Sequence, residues 1–187
     1  VSKILKVPYG VSAHARDITV YPEYVKQKVS TAKFILICNR NALEHVRGMF
    51  TEDLENVYLK YHGLDYTKLE EIKSKPEKSY DVPVILNVSR LTEKKGQVYL
   101  IEASKILKDM GIRHKVIIIG GGELYDSLLN AISENGVEDC VEILGGKEGI
   151  PFSETVKYFN IASILAYPGI KTEGGDEDGL PNVLPEA

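Results

Sequence analysis

The sequence predicts an α/β protein with parallel sheets in two units, on three observations. Short, solidly apolar runs alternate with longer segments of helical periodicity. Runs such as Phe34-Ile35-Leu36-Ile37 and Val116-Ile117-Ile118-Ile119 show no polar alternation, which is the pattern of strands covered on both faces. A polar stretch over residues 66–80, rich in Lys and Glu and holding Pro76, interrupts the alternation and reads as a linker between domains.

The elements follow in order. The first residues enter on a strand. Pro22 opens a helix whose Val25, Val29 and Ala32 share a face. The strand at 34–37 follows, and then Asn39 or Asn41 caps a second helix with Leu43, Val46 and Phe50 inward. A third strand is expected over Asn56–Tyr61, ending in the turn His62-Gly63-Leu64-Asp65.

After the linker the alternation restarts with a strand over Pro83–Val88. A helix is expected from Gly96 to Met110, with Tyr99, Ala103, Ile106, Leu107 and Met110 on its inner side and Gly111 as its stop. A strand at Lys115–Ile119 runs into Gly120-Gly121-Gly122. The next helix carries Leu124, Leu128 and Ile132 and closes near Asn135-Gly136. A strand at Val141–Leu144, a helix from Ser153 to Ala162 capped by Ser153, and a strand at Ile164–Tyr167 complete the series. The last residues, 181–187, have the look of an opening helical turn, so both ends of the chain look cut from something longer.

Composition narrows the function. With 23 Lys+Arg, 27 Asp+Glu, 43% hydrophobic and 27% charged residues among 187, the chain has the balance of a globular protein, not of a disordered, collagen-like or disulfide-scaffold one. No apolar run approaches the roughly 18 residues of a membrane-spanning helix, and residues 1–17 lack the apolar core of a signal peptide. Residues 1–80 carry 13 basic and 10 acidic side chains and residues 81–187 carry 10 and 17, so the two parts are +3 and −7. No basic cluster with interleaved aromatics accompanies this asymmetry, which argues against nucleic-acid binding. Cys38 and Cys140 lack a C-x-x-C spacing and read as reduced, buried, cytosolic thiols.

Three stretches can carry chemistry. Ser89-Arg90-Leu91-Thr92-Glu93-Lys94-Lys95-Gly96 lies between a buried strand and a helix, where an anion meets the positive end of the helix dipole. Arg90 offers a fixed fork of donors and Lys95 a mobile point charge, a pair suited to a diphosphate, although a solvated basic loop is the commoner explanation. Gly120-Gly121-Gly122 and Gly145-Gly146-Lys147-Glu148 match neither phosphate-loop template; both are explained by tight turns or by close backbone approach to a ligand. The acidic loop Glu173–Asp178 runs through Gly179 into a helix start at Pro181, where carboxylates also serve as capping groups. It lacks the EF-hand pattern for calcium. His45 and His114 have no partner at metal-ligand spacing, and His62 reads as a loop histidine. Tyr9, Tyr58 and Tyr61 read as packing residues.

SAHARDI (12–18), YHGLD (61–65), NVSRLTEKKG (87–96), IIIGGGE (117–123) and DGLPNVLPEA (178–187) occur in this order and at sensible spacing. Together they resemble the retaining nucleotide-sugar glycosyltransferases of glycosyltransferase family 4, and within it the bacterial and archaeal enzymes of surface polysaccharide synthesis. The resemblance covers nearly the whole chain. It implies two Rossmann-like parallel-sheet units of a GT-B fold, both incomplete: residues 1–65 as the end of the acceptor-side domain, 66–80 as linker, and 81–187 as a truncated donor domain. Family members are typically twice this length.

The resemblance also implies roles. Arg90 and Lys95 hold the donor diphosphate and stabilise the leaving nucleotide. Glu186 binds the ribose hydroxyls and Asp178 contacts the transferred sugar. Amides of Gly179, Leu180 and Asn182 serve the sugar and phosphate, Gly120 and Gly121 approach the donor, and Gly145, Gly146 and Lys147 lie beside the base. His14, with Asp17, faces the sugar from the other domain. No protein general base, metal or cofactor is implied. The partners are a nucleotide-sugar donor and a saccharide or lipid-linked acceptor, in the cytoplasm or at the inner membrane face, where the +3 front part is compatible with anionic lipid.

Two residues depart from the family pattern. Asp178 stands where Glu is commoner, with Glu177 as a fallback, and Pro185 stands where an aliphatic residue is usual. In a helix interior Pro185 would cost about 3 kcal/mol. The pair Asp178 and Glu186, with SRLTEKKG upstream, favours a transferase over a GT-B sugar-nucleotide epimerase. A non-catalytic nucleotide-sugar-binding domain is the alternative from another class.

Overall fold

In the computed structural model, which describes residues 7–14, 18, 22–61, 63, 79–179 and 181–186, the two series of apolar runs form two separate parallel sheets. The chain divides into two compact units, Val1–Gly63 with Lys171–Asn182, and Leu64–Ile170 with Val183–Ala187. Residues 66–78 of the expected linker, and His62, Leu64 and Asp65 of the turn before it, lie outside the described residues.

The first unit contains β1 (Gly10–Ala13), α1 (Pro22–Thr31), β2 (Phe34–Ile37), α2 (Arg40–Gly48) and β3 (Val57–Leu59). Its sheet runs β1-β2-β3, all parallel, with Val11 opposite Ile35 and Ile35 opposite Val57. Pro22 is the first helical residue of α1, and Val25 and Val29 are buried beneath it. Of the two candidate caps, Asn39 is the one used: its side-chain oxygen accepts from the Ala42 amide at 2.8 Å. Leu43 and Val46 enter the core with Ile35, Ile37 and Val57, while Phe50 lies beyond the helix and packs on the core's edge. β3 is shorter than the expected 56–61; the Asn56 side-chain amide donates to the Val29 and Ala32 carbonyls at the end of α1, at 2.9 and 3.1 Å.

The second unit contains β4 (Val84–Val88), a 3-10 turn (Glu93–Lys95), α3 (Gln97–Asp109), β5 (Lys115–Ile119), α4 (Tyr125–Glu134), β6 (Val141–Leu144), α5 (Phe152–Phe159), β7 (Ile164–Leu165) and α6 (Val183–Glu186). The strand order is β6-β5-β4-β7, again all parallel. Alternate residues of β5 serve different cores. Val116 and Ile118 pack with Leu100, Ile101, Leu128 and Ile132, whereas Ile117 and Ile119 pack with Val84, Leu86, Tyr158 and Leu165. Both faces are therefore covered, which is why β5 tolerates no polar residue after Lys115.

Helix α3 ends where expected. Gly111 adopts φ 72°, its amide reaches the Lys108 carbonyl, and the Ile112 amide reaches Leu107. This pair of bonds is a Schellman stop. The inner face of α3 differs from the expected one. The buried residues are Gln97, Leu100, Ile101 and Ser104, whereas Tyr99, Ile106 and Met110 are 49%, 60% and 67% exposed. Apolar periodicity misplaces the face because two polar residues are buried with partners of their own. Ser104 meets His114 Nε2 at 2.7 Å, and Gln97 bonds the strand-end turn. Helix α5 also starts earlier than expected. Its cap position is Pro151, whose carbonyl accepts from Glu154 and Thr155, so Ser153 sits within the first turn and caps nothing.

Candidate functional site

In the second unit the chain steps outward from β4 to β5 and β6, then returns to the opposite side of β4 as β7. The carboxyl ends of β4 and β7 thus flank the point where winding direction reverses, the crevice at which open parallel sheets bind ligands. Arg90 and Lys95 both sit on the turn that leaves β4.

That turn is held from three sides. The Ser89 amide donates to Ile119 O, and the Leu91 amide to Gly121 O, tying it to the end of β5. Gln97, 1% exposed, donates to Ser89 Oγ and to the Arg90 carbonyl at 2.9 and 2.8 Å. On the β7 side, the fully buried Asn87 donates to Ala166 O at 2.8 Å, and the Ile170 amide donates to Lys94 O at 2.9 Å. Lys95 Nζ donates to the Tyr167 hydroxyl at 3.1 Å. Gly96, at φ 65°, lets the chain turn into α3 directly against the Pro168 carbonyl. Arg90 itself is exposed, and its guanidinium has no bonding partner among the described residues. The result is a fixed loop that carries a fork of donors without a partner among the described residues and, on the same turn, an ammonium held by Tyr167.

The glycines complete the edge. A methyl group at Gly120 would overlap the Ser89 carbonyl, one at Gly122 the Leu91 backbone, and one at Gly121 the Lys147–Gly149 backbone. The Gly120 amide donates to Leu144 O and the Gly122 amide to Lys147 O. Gly145 is pressed against Gly149 in the same way, with Gly149 N bonded to Gly145 O at 2.7 Å. The structure therefore brings together the turn of Arg90 and Lys95, the Gly120–Gly122 segment and the Gly145-Gly146-Lys147 turn, at the carboxyl edge of one sheet. Lys147 pairs with Asp126 at the opening of α4.

The first unit holds Asp178 and Gly179. Together with Asn39, Asn41, His45 and Glu177 they line a cleft of about 320 Å³ at the carboxyl end of β2. Gly179 lies so close to the Asn39 amide that a side chain there would overlap it. His14 follows β1, is exposed, and accepts from the Ile18 amide through its carbonyl at 3.2 Å; it is not a wall of that cleft. Asn182 is exposed, and Glu186 is the last residue of α6. Pro185 is the third residue of α6, inside the first turn, where an amide has no intrahelical acceptor, so the interior-proline cost does not arise. Asp17 and Leu180 lie outside the described residues. Among the described residues no group of His, Cys, Asp and Glu is arranged to hold a metal ion, and no helix is long and apolar enough to cross a membrane.

Sequence reasoning missed Asn87, Gln97 and Tyr167. Asn87 had a signal, a lone amide inside Val84-Ile85-Leu86-Asn87-Val88, which in a doubly covered strand must find a partner. Tyr167 had none, because its partner Lys95 is remote in sequence.

Comparison with known proteins agrees with this architecture. The family model described as glycosyl transferases group 1 matches residues 68–187. The chain is 43% identical over 103 residues to the amylovoran biosynthesis glycosyltransferase AmsK of Erwinia amylovora, covering 55% of this chain and 25% of that protein. It is 31% identical over 188 residues to the putative colanic acid biosynthesis glycosyltransferase WcaL of Salmonella typhimurium, covering 99% of this chain and 44% of that protein. Among solved structures, the pneumococcal O-GlcNAc transferase GtfA in complex with UDP and GlcNAc superposes with a TM-score of 0.62 at 14% identity, over 96% of this chain and 35% of that one. The chain thus spans less than half the length of each of these proteins. Structural likeness at that identity establishes the fold, GT-B, and the family match over more than half the chain establishes the rest: this chain belongs to the glycosyl transferases group 1 family.

Proposed function

We propose that this protein transfers a sugar from a nucleotide-diphosphate sugar to a saccharide or lipid-linked saccharide, with retention of anomeric configuration, in surface polysaccharide synthesis. The observation that carries the reading is the crevice between β4 and β7, flanked by the fixed turn that carries both Arg90, whose guanidinium has no partner among the described residues, and Lys95. The names of relatives support the biological setting: amylovoran, colanic acid and teichuronic acid biosynthesis glycosyltransferases.

In this reading Arg90 takes the diphosphate oxygens in its planar fork, and Lys95 neutralises charge as the nucleotide leaves. Lys95 is held by Tyr167 and the backbone of Arg90 by its turn before substrate arrives, which limits the reorganisation needed as charge develops. Family resemblance assigns Glu186 to the ribose, Asp178, Gly179, Leu180 and Asn182 to the sugar and phosphate, Gly145, Gly146 and Lys147 to the base, and His14 to the sugar. Gly120 and Gly121 contribute by letting the three loops meet. The departing phosphate assists same-face attack, so the reading needs no protein general base, metal or cofactor. It places the reaction in the cytoplasm, with peripheral contact to the inner membrane face.

The test is a thermal-shift panel with UDP, GDP, ADP and CMP on the chain and on Arg90→Ala. Ligand at 100 times its dissociation constant adds about 2.7 kcal/mol, which raises the midpoint by roughly 5–10 °C. A rise with one nucleotide that is lost in Arg90→Ala is the expected result. No rise with any nucleotide, or a rise that Arg90→Ala leaves intact, would overturn the assignment.

A further inference from the structure

We propose that Gln97 is a positioning residue for Arg90, acting through a chain of two buried amides and the half-buried Ser89 hydroxyl that joins α3 to the ends of β4 and β7. The inference rests on the reading of Arg90 as the diphosphate ligand.

Gln97 is the first residue of α3 and is 1% exposed, on the face that apolar residues otherwise occupy. A buried carboxamide costs stability unless its groups are bonded, and an aliphatic side chain of similar volume would serve packing alone better. Among the described residues, both bonds of the Gln97 amide go to the turn that carries Arg90: Nε2 donates to the Arg90 carbonyl at 2.8 Å and to Ser89 Oγ at 2.9 Å. Its Oε1 is buried without a partner among the described residues. The amide is therefore spent at its donor end.

The orientations along the chain are fixed by its ends. The Ala166 carbonyl only accepts, so Asn87 presents Nδ2 to it and keeps Oδ1 for the Ser89 hydroxyl, at 2.8 and 3.1 Å. With its proton committed to Asn87, Ser89 Oγ accepts from Gln97. The Arg90 carbonyl also accepts the Thr92 amide at 3.0 Å, so two donors fix the peptide that sets the root of the Arg90 side chain. Arg90 is long and exposed. Fixing its root narrows the set of directions in which its fork can point, which lowers the ordering cost on binding an anion.

A residue that acts through Arg90 loses its effect when Arg90 is gone, whereas a residue that only stabilises the fold does not. Calorimetric titration of UDP, GDP and ADP, each separately, into the native chain, Gln97→Met, Arg90→Ala and the double variant tests this. We expect Gln97→Met to weaken the nucleotide that binds by about tenfold in the native background and by less than about twofold in the Arg90→Ala background. Equal losses in both backgrounds, or no loss in either, would overturn the positioning role while leaving the Arg90 reading in place. Absence of any Arg90-dependent binding in the native chain would remove that reading, and this inference with it. Should Gln97→Met fail to fold, Gln97→Glu serves in its place. Protonated, the acid donates to the Arg90 carbonyl; ionised, it repels it. Its affinity relative to native is expected to rise as pH falls from 8 to 5, and a flat ratio would count against the role.

Discussion

The Lys95 ammonium donates to the Tyr167 hydroxyl at 3.1 Å and lies 5.2 Å from the centre of the same ring. One residue follows β4 and the other follows β7, so this contact fastens the two sides of the crevice across its mouth. A lysine tethered to a phenol and resting over its ring samples fewer rotamers than a free one.

The first prediction tests that tether. Tyr167→Phe keeps the ring and removes the acceptor, and is expected to weaken nucleotide binding about two- to fourfold. Tyr167→Ala removes both and is expected to weaken it about tenfold, in line with a partly exposed cation–π contact of ~0.5–1 kcal/mol plus one hydrogen bond. Titration calorimetry at one fixed salt concentration measures both; equal affinities for all three proteins would show that Lys95 needs no tether.

Two glycines make a matched pair for stability. Gly120→Ala puts a methyl group into the Ser89 carbonyl, whereas Gly136, at φ 61° in the stop of α4, has open space around its Cα. Gly136→Ala is expected to cost about 1 kcal/mol, the left-handed conformation alone. Gly120→Ala is expected to cost more than about 3 kcal/mol, because backbone has to move. Urea unfolding of the two variants side by side decides it.

Ser104 and His114 form a buried pair at the inner side of α3. The ring's Nδ1 lies 2.8 Å from the Ile112 carbonyl, which only accepts, so Nδ1 carries a proton, and the tautomer with its proton there leaves Nε2 to accept from Ser104 Oγ at 2.7 Å. Ser104→Ala leaves that nitrogen buried without a donor and is expected to cost about 1–3 kcal/mol. The double variant Ser104→Ala/His114→Phe is expected to cost less than the sum of the single changes, and additive costs would refute the coupling.

At the same amino-terminal end of the sheet, Lys108 pairs with Asp139 at 2.6 Å. The hydrogen bond from Lys108 holds the Asp139 carboxyl below the usual carboxylate range, and the same bond raises Lys108. A depressed carboxylate stabilises above its unfolded value of about 3.9 and loses that contribution as pH falls through the lower folded value. A raised lysine stabilises below about 10.4 and loses its contribution as pH climbs through the higher folded value. Asp139→Asn is therefore expected to lower stability by a small, constant amount between about pH 5 and 9, with the gap closing at both extremes. Unfolding midpoints across that range measure it; a gap that grows toward acid would refute the assignment.

The strands were legible because four consecutive apolar residues, as at 34–37 and 116–119, suit a strand of a parallel sheet; both faces are covered at 116–119, whereas at 34–37 Ile35 and Ile37 are buried and Phe34 is 40% exposed, so the expected double cover does not hold there. The position of the turn that carries Arg90 and Lys95 was legible for the same reason, since the buried strand before it and the helix after it fix where the connection falls. The inner face of α3 was not. Hydropathy counts Tyr99, Ile106 and Met110 as inward and Gln97 and Ser104 as outward, whereas the fold inverts both, because Gln97 and Ser104 find partners at Arg90 and His114. Burial follows satisfied bonding as well as apolarity, and a bond between residues far apart in sequence leaves no periodic trace. Ser153 misled in a smaller way: a hydroxyl near a helix start suggests a cap, but Pro151, with no amide to satisfy, already opens α5.

The contact of Gly120, Gly121 and Gly122 with the Ser89–Leu91 and Lys147–Gly149 backbones has a mechanical consequence. Where loops meet through side chains, rotamer changes take up small displacements. Here main chain rests on main chain, and no compliant layer lies between. A shift in the turn at residues 145–149 must carry through the triglycine into the peptide of Ser89 and Arg90. The three loops then behave as one stiff plate whose backbone ordering entropy is lost during folding, leaving an arriving ligand only its own freedom and that of side chains such as Arg90 to surrender.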